Sequence, residues 1–224
     1  LAVLKAVADG CHLNARLNLS VKEGFTLPDP EGVVRVGDLL FEEAPQGEPD
    51  STVSTPHARD LARLLAAVKE GSRQADAVIV SIHSHEMNRD AKDRPADFLV
   101  TAARACIDHG AHAIIGHGPH IVRAVEVYRK RPIFYSLGNF IFQNETIPSA
   151  PADFYEKYGL GPDASLADLF DKRSHNETKG FAVNPRIWES VVAKWRMENG
   201  ELTELTLHPV TLGHGEPRHR KGWP

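Results

Sequence analysis

Apolar segments that alternate with amphipathic helical patterns constrain the fold of this chain more than any other feature. Residues 77–82 form a continuous apolar run rich in β-branched side chains, which is typical of a central strand buried on both faces. Amphipathic patterns on both sides of this run predict helices. Alternating helices and buried strands favour an α/β chain in which helices flank a sheet. The predicted helices are 57–70 and about 95–108, and the further strands are 113–115, about 121–128 and 132–136.

The flanking regions carry weaker signals. Residues 1–25 show no clear pattern, and 33–41 are expected to form a strand. We expect Gly71 to end the first helix, because glycine commonly stops a helix. Asn199-Gly200 lies between two alternating apolar runs, at about 187–196 and 202–208, and this pattern predicts a β-hairpin.

One domain over residues 1–215 is the predicted organisation. A polar, proline-broken segment at 144–180 is expected to form a lid or insertion, with a short helix near 164–173. The basic residues 216–224 are expected to form a flexible tail.

Composition excludes several classes of protein. The 224 residues are 42% hydrophobic and 25% charged, with a formal net charge of −4, which is ordinary for a globular domain. No apolar run approaches the ~20 residues of a membrane span. The acidic balance argues against a nucleic-acid partner. Two cysteines, Cys11 and Cys106, do not make a disulfide framework.

Histidine is the unusual component. The chain has 12 histidines, and six of them lie between residues 83 and 120. His83 and His85 follow the first apolar strand directly, and His117 and His120 follow the next one. Ligands of open α/β sheets bind at the carboxyl ends of strands, so these four imidazoles are expected to converge if the two strands are neighbours. Such a set suits Zn, Mn or Fe.

Other polar residues follow the same strands. Glu86 is a candidate metal ligand, an orienting partner of a ligand histidine, or a solvated acid. Ser136 and Asn139 follow the 132–136 strand, where Asn139 would stabilise an oxyanion, orient a ligand or serve only the turn. His109 and His112 are expected at the opposite end of the layer, as surface residues.

At these segments the sequence resembles the CapA family of capsule or poly-γ-glutamate synthesis proteins, within the calcineurin-like metallophosphatase superfamily. The resemblance rests on VIVSIHSHE, IIGHGPHIVRAVEVY and RPIFYSLGNFIF, and on the closing LTLHPVTLGHGEPR. It implies an α/β, or α+β, four-layer sandwich of two mixed sheets flanked by helices, with one or two divalent metals at the strand ends. It also implies that His83, His117 and His120 are metal ligands.

The sequence departs from the superfamily's pattern in its first half. The resemblance implies Asp-x-His, Gly-Asp and Asn-His ligand segments before His83, and none is found; Gly37-Asp38 is a superficial match. The chain therefore looks truncated at its N-terminus or has lost half of the site. Without a bridging carboxylate, a single weakly held metal, or none, is also expected as an alternative.

Two functions remain open from the sequence. The first is a metal-dependent hydrolase that uses a metal-activated water, with His85, Glu86 and Asn139 as catalytic residues. Its substrate would be a phosphate ester or the γ-linked amide of poly-γ-glutamate. The second is a non-catalytic component that binds a polyanion in capsule or poly-γ-glutamate assembly. The candidate substrate-binding residues are Arg89, Arg123 and Ser136.

Location and assembly are less constrained. The first ten residues show no signal peptide, which favours the cytoplasm, whereas the family resemblance favours the cell envelope. A homo-oligomer is a further expectation, because a second chain would complete a site that lacks half its ligands.

Overall fold

The computed structural model describes residues 1–48, 51–144 and 146–224. The chain divides into two compact units, Leu1–Thr52 and Val53–Pro224. The predicted single domain over 1–215 stays a prediction. Among the described residues, no helix is both long enough and apolar enough to cross a membrane.

The first unit contains two helices and a small hairpin. Helix α1 (Ala2–Gly10) and helix α2 (Ala15–Lys22) occupy the segment in which the sequence showed no clear pattern. The single strand expected at 33–41 is wrong, because the chain reverses there and forms β1 (Val34–Val36) and β2 (Leu39–Phe41). Gly37 makes this reversal possible, since it has a φ of +61°.

The second unit holds the remaining elements. Its helices are α3 (Ala58–Gln74), α4 (Asp97–Asp108), α5 (Ala152–Lys157) and α6 (Leu166–Ser174). Its strands are β3 (Ile79–His83), β4 (Met87–Asn88), β5 (Ala91–Pro95), β6 (Ala113–His117), β7 (Val125–Tyr128), β8 (Arg131–Phe134), β9 (Glu189–Glu198) and β10 (Glu201–Thr211).

The principal sheet has four strands in the order β3-β6-β8-β7. Strand β6 runs parallel to both β3 and β8, whereas β7 is antiparallel to β8. Helix α4 packs its predicted apolar face on this sheet: Leu99, Ala103 and Cys106 are all buried. The prediction of an α/β fold with sheets flanked by helices is confirmed.

Strand β3 lies at the edge of this sheet, so the expectation of a central strand buried on both faces is wrong. Ile79 is 57% exposed, whereas Val80, which points to the opposite face, is 9% exposed. The buried central strand is β6, in which Ala113 and Ile114 are almost completely inaccessible. An apolar run indicates that a strand can be buried. Which strand has neighbours on both sides depends on the strand order, which the run does not determine.

Helix α3 continues through Gly71 to Gln74, so the predicted stop is also wrong. Glycine costs a helix about 1 kcal/mol relative to alanine, which packing can override. Here Gly71 lies against Val78: a β-carbon added at Gly71 would be 3.5 Å from the valine side chain.

The predicted hairpin is confirmed as β9 and β10, which are antiparallel. Asn199 and Gly200 both have positive φ angles, as a tight two-residue hairpin turn requires. The hairpin is joined to the principal sheet, because the backbone N–H of Leu202 donates to the carbonyl of Lys130.

The lid region and the C-terminal segment pack together. The expected short helix is α6, whose N-terminus is capped by Ser165 and Asp168. Glu145, within the predicted lid, lies outside the described residues. Within the C-terminal residues 216–224, Lys221 is 8% exposed and pairs with Glu177, and the expected flexible tail stays a prediction. A basic segment is held here because the acidic side chain of Glu177 faces it.

Candidate histidine site

His83 and His117 end the two parallel strands β3 and β6 in direct register. Their Nδ1 atoms lie 2.9 Å apart. The backbone N–H of Ser84 donates to the carbonyl of His117 at 2.8 Å, which continues the ladder one residue beyond the strands. Because neighbouring strands are about 5 Å apart, this register is what brings the two imidazoles together.

His85 and His120 complete a cluster of four imidazoles. The Nε2 atoms of His83 and His85 are 3.0 Å apart. The rings of His85 and His120 have centroids 5.6 Å apart. The structure thus places at one end of the sheet all four histidines that the sequence selected.

Gly118 allows the loop that carries His120 to approach the β3 strand end. Its φ is +122°, and an added β-carbon would lie 2.9 Å from the carbonyl oxygen of Ser84. His120 itself has a φ of 59°, a left-handed conformation that is uncommon for a residue with a β-carbon. Backbone strain at a residue of this kind is often retained at functional sites.

Asn139 fixes the orientation of His120. Its Oδ1 lies 2.8 Å from His120 Nδ1, and its Nδ2 donates to the carbonyl of Ile187 at 3.0 Å. Because the amide nitrogen is committed to a carbonyl, Oδ1 accepts and His120 Nδ1 carries the proton. This leaves the lone pair of His120 on Nε2, the arrangement that a ligand or general base requires. Among the alternatives for Asn139, the geometry favours an orienting role.

The donor chemistry of the cluster fits a divalent transition metal, since imidazole nitrogen suits Zn, Mn and Fe. Two nitrogens bound to one ion at about 2.0–2.1 Å would be roughly 3 Å apart, close to the separations observed here. However, His83 turns its two nitrogens toward different neighbours, His117 and His85. Among the described residues, no three His, Cys, Asp or Glu side chains are positioned to hold one ion together.

Glu86 is exposed and accepts a hydrogen bond from Ser84 Oγ at 2.7 Å. This hydrogen bond is the main reason why the pKa of the Glu86 carboxyl lies below its usual range. An ionised carboxylate can accept a proton or orient a positive group, so its chemistry suits those roles better than that of a general acid.

Arg123 and Ser136, predicted to bind substrate, are both buried. Arg123 is 3% exposed, and its guanidinium donates to the carbonyl oxygens of Glu86 and Lys92. It thus joins the β4–β5 hairpin to the segment between β6 and β7. Ser136 is 1% exposed, and its Oγ accepts from the N–H of Gly138. Their substrate-binding role stays a prediction, and the observed contacts give both side chains a positioning role.

Arg89, the third predicted substrate-binding residue, is exposed in the β4–β5 turn with a φ of 54°. His109 and His112 lie at the opposite end of β6 from the cluster, as expected. His109 is exposed, whereas His112 is partly buried and its Nδ1 accepts from the N–H of Val78 at 3.1 Å.

Sequence reasoning missed three side chains that contact the cluster. Ser81 Oγ lies 2.9 Å from His117 Nε2. Ser81 precedes His83 by two residues, so strand periodicity could have identified it. Phe142 and Phe181 pack on His120, with ring centroids 5.5 and 5.3 Å away. No local pattern predicts these contacts, because Phe142 and Phe181 lie far from His120 in the sequence and meet it only in the folded chain.

The sequence matches the family model described as "Bacterial capsule synthesis protein PGA_cap" over residues 27–144, more than half of the chain. The chain belongs to this family, and the resemblance to CapA proteins is confirmed.

Several curated relatives are similar to it. The uncharacterized protein y4sH of Sinorhizobium fredii is 39% identical over 175 residues, which are 75% of this chain and 38% of that protein. The PGA biosynthesis protein CapA of Bacillus subtilis is 32% identical over 61% of this chain and 37% of its own length. The capsule biosynthesis protein CapA of Bacillus anthracis is 33% identical over 49% of this chain and 27% of its own length. The chain thus spans less than two fifths of the length of these relatives.

Proposed function

We propose that this chain acts in capsule or poly-γ-glutamate metabolism as a metal-dependent hydrolase. The observation that carries this proposal is the convergence of His83, His85, His117 and His120 at the ends of two parallel strands. The names of the CapA relatives supply the metabolic context.

The histidines, Glu86 and Asn139 would have different roles in this reaction. His83, His117 and His120 would hold a divalent cation, which supplies a water of lowered pKa as the nucleophile. Asn139 keeps the His120 lone pair on Nε2, facing away from the amide. His85 would donate or accept a proton at Nε2, and Glu86 would hold a positively charged partner. The bond that is cleaved would be a phosphate ester or a γ-glutamyl amide.

The test is metal binding and hydrolysis by the whole chain. Mn²⁺ or Zn²⁺ is added to the purified protein, bound metal is measured after dialysis, and activity is assayed on p-nitrophenyl phosphate and on poly-γ-glutamate. We expect His83→Ala and His117→Ala to lose both bound metal and activity. His109→Ala is the matched control, because it removes an exposed histidine at the opposite end of the sheet.

A wild-type chain that binds no metal and hydrolyses neither substrate would refute the proposal. Equal metal content and activity in His83→Ala, His117→Ala and His109→Ala would refute the assignment of the ligands.

A second candidate is a non-catalytic component that binds an acidic polymer. Positive side chains near the cluster favour it: burial, together with the neighbouring Arg123 and Arg186, lowers the pKa of Lys92. Lys92 also lies 5.7 Å from the centre of the Phe181 ring, which packs on His120, so a positive charge is held close to the cluster. Salt-sensitive binding of poly-γ-glutamate without turnover would favour this candidate over the hydrolase.

A further inference from the structure

A cavity of about 160 Å³ lies beside the histidine cluster, between the lid and the C-terminal segment. Phe142 and Phe181 line it, and both rings also pack on His120. Trp188 and Phe170 add further aromatic surface. A molecule in this cavity would therefore be separated from the His120 ring by a single layer of aromatic side chains.

Among the described residues that line the cavity, positive side chains outnumber negative ones. Arg173, Lys179, Arg218 and Lys221 line it, and the only acidic side chain among its described lining residues is Glu177. Lys221 and Arg218 both pair with Glu177, and Arg218 also pairs with Asp171. The carboxylate in the cavity is therefore already neutralised, and its pKa is held below its usual range chiefly by the hydrogen bond from Lys221.

Arg173 and Lys179 are the two positive lining residues that do not take part in the ion pairs with Glu177 and Asp171. Both are exposed, and neither forms an ion pair with a carboxylate in the described part of the chain. The Arg173 guanidinium lies 5.8 Å from the centre of the Phe181 ring. The cavity thus presents two positive groups next to an aromatic wall.

We infer that this cavity binds a segment of an acidic polymer of the polyglutamate type, with carboxylates at Arg173 and Lys179 and methylene groups against Phe142 and Phe181. Such a chain alternates charged carboxylates with short apolar spacers. Positive side chains attract the carboxylates, and aromatic side chains bury the apolar spacers away from water. The inference rests on the proposed function for the choice of polymer, whereas the charge and the aromatic wall are properties of the cavity.

The test is calorimetric titration of the full chain with a γ-linked glutamate decamer at low salt, with inorganic phosphate in a parallel titration. We expect the decamer to bind and the double variant Arg173→Gln/Lys179→Gln to raise its Kd about tenfold, since two charge-assisted contacts are lost. Lys179→Glu is expected to weaken binding more than Lys179→Gln does. The matched control, Lys172→Gln/Lys194→Gln, removes two exposed charges outside the cavity and should leave the Kd within about twofold.

Three results would overturn the inference. They are no binding of the decamer to the wild-type chain, an unchanged Kd in the Arg173→Gln/Lys179→Gln variant, and a phosphate titration that depends on these two residues while the decamer does not bind. Thermal unfolding of each variant verifies that the fold is intact.

The outcome is separable from that of the proposed hydrolase. Decamer binding that is lost in the double variant, with no metal-dependent turnover, supports the cavity and refutes the hydrolase. Hydrolysis of poly-γ-glutamate with the same KM in the double variant supports the hydrolase and refutes the cavity.

Discussion

Gly116 in strand β6 lies directly against the backbone of Tyr135, so closely that a β-carbon at Gly116 would be 2.6 Å from the Tyr135 carbonyl oxygen. The next residue in the strand is His117. Tyr135 directly follows strand β8, so the backbones of β6 and of the residue after β8 are in contact one residue before the histidine cluster begins.

Gly116→Ala is expected to destabilise the fold. The added methyl group would meet backbone atoms, which cannot rotate away, so we expect a loss of about 1–3 kcal/mol in the free energy of unfolding. Urea denaturation measures it. Gly161→Ala is the control, because a β-carbon there would meet nothing within 4 Å. Equal stability of the two variants would show that β6 and β8 are not packed as described.

Asn139→Ala is expected to release the His120 ring. Without the Oδ1 acceptor, the proton is no longer held on Nδ1, and the fraction of His120 with a free Nε2 lone pair falls. The ¹⁵N shifts of the His120 ring report the tautomer directly. If the cluster binds a metal, we expect its affinity to fall about 10- to 100-fold, as for other lost partners of ligand histidines.

Asn139→Asp provides the matching comparison, because it keeps an oxygen acceptor at the same position. We expect it to keep a proton on His120 Nδ1, which Asn139→Ala does not, although it loses the donor to the carbonyl of Ile187. Identical ring shifts in both variants and the wild type would contradict the orienting role.

Arg123→Met is expected to loosen the β4–β5 hairpin. The change leaves the carbonyl oxygens of Glu86 and Lys92 without their donors, and we expect a cost of about 2–3 kcal/mol. Urea denaturation measures the loss in the free energy of unfolding. Faster amide hydrogen exchange in residues 86–95 would show that the loss arises in this hairpin. Arg94→Met removes an exposed arginine from the same hairpin and should change neither quantity. A substrate-binding Arg123 would instead raise KM without a loss of stability.

His112 is expected to make stability depend on pH. Burial, and then the nearby Arg131, lower its pKa, and its Nδ1 accepts from Val78 only when unprotonated. The folded pKa is below the unfolded value, so the contribution is present above about pH 6.5 and is lost as the pH falls through the folded pKa. We expect the unfolding free energy of the wild type to fall between pH 7.5 and 5.5.

His112→Asn should reduce that fall, because its Oδ1 can accept from Val78 and does not titrate. His109→Asn changes an exposed histidine nearby and serves as the matched control. The same slope in His112→Asn and the wild type would show that another group is responsible.

Local chemistry accounts for the parts of the fold that the sequence predicts well. The amphipathic pattern of α4 and the Asn199-Gly200 turn specify their own structures, because the relevant contacts lie within a few residues. The edge position of β3 is different, because it depends on which strands pair. An apolar run at 77–82 has the same composition in either position.

The same distinction between local and long-range contacts applies to the residues of the histidine site. His83 and His117 are predictable because each directly follows an apolar strand, and parallel strands end at one edge. The partnership of Asn139 with Ile187, and the packing of Phe181 on His120, join segments 48 and 61 residues apart in the chain. No periodicity reports such contacts, so the aromatic wall beside His120 becomes visible only in the folded structure.

The pairing of β3 with β6 has a consequence for when the histidine cluster can come apart. The separation of His83 and His117 is set by interstrand hydrogen bonds, including the one from Ser84 to His117, and not by the two loops that follow. Mobile loops open at low free energy, whereas breaking a hydrogen-bonded strand pair costs more. Amides at this end of β6 should therefore exchange more slowly than those of the loops that follow the two strands, and these two histidines should stay paired when those loops move.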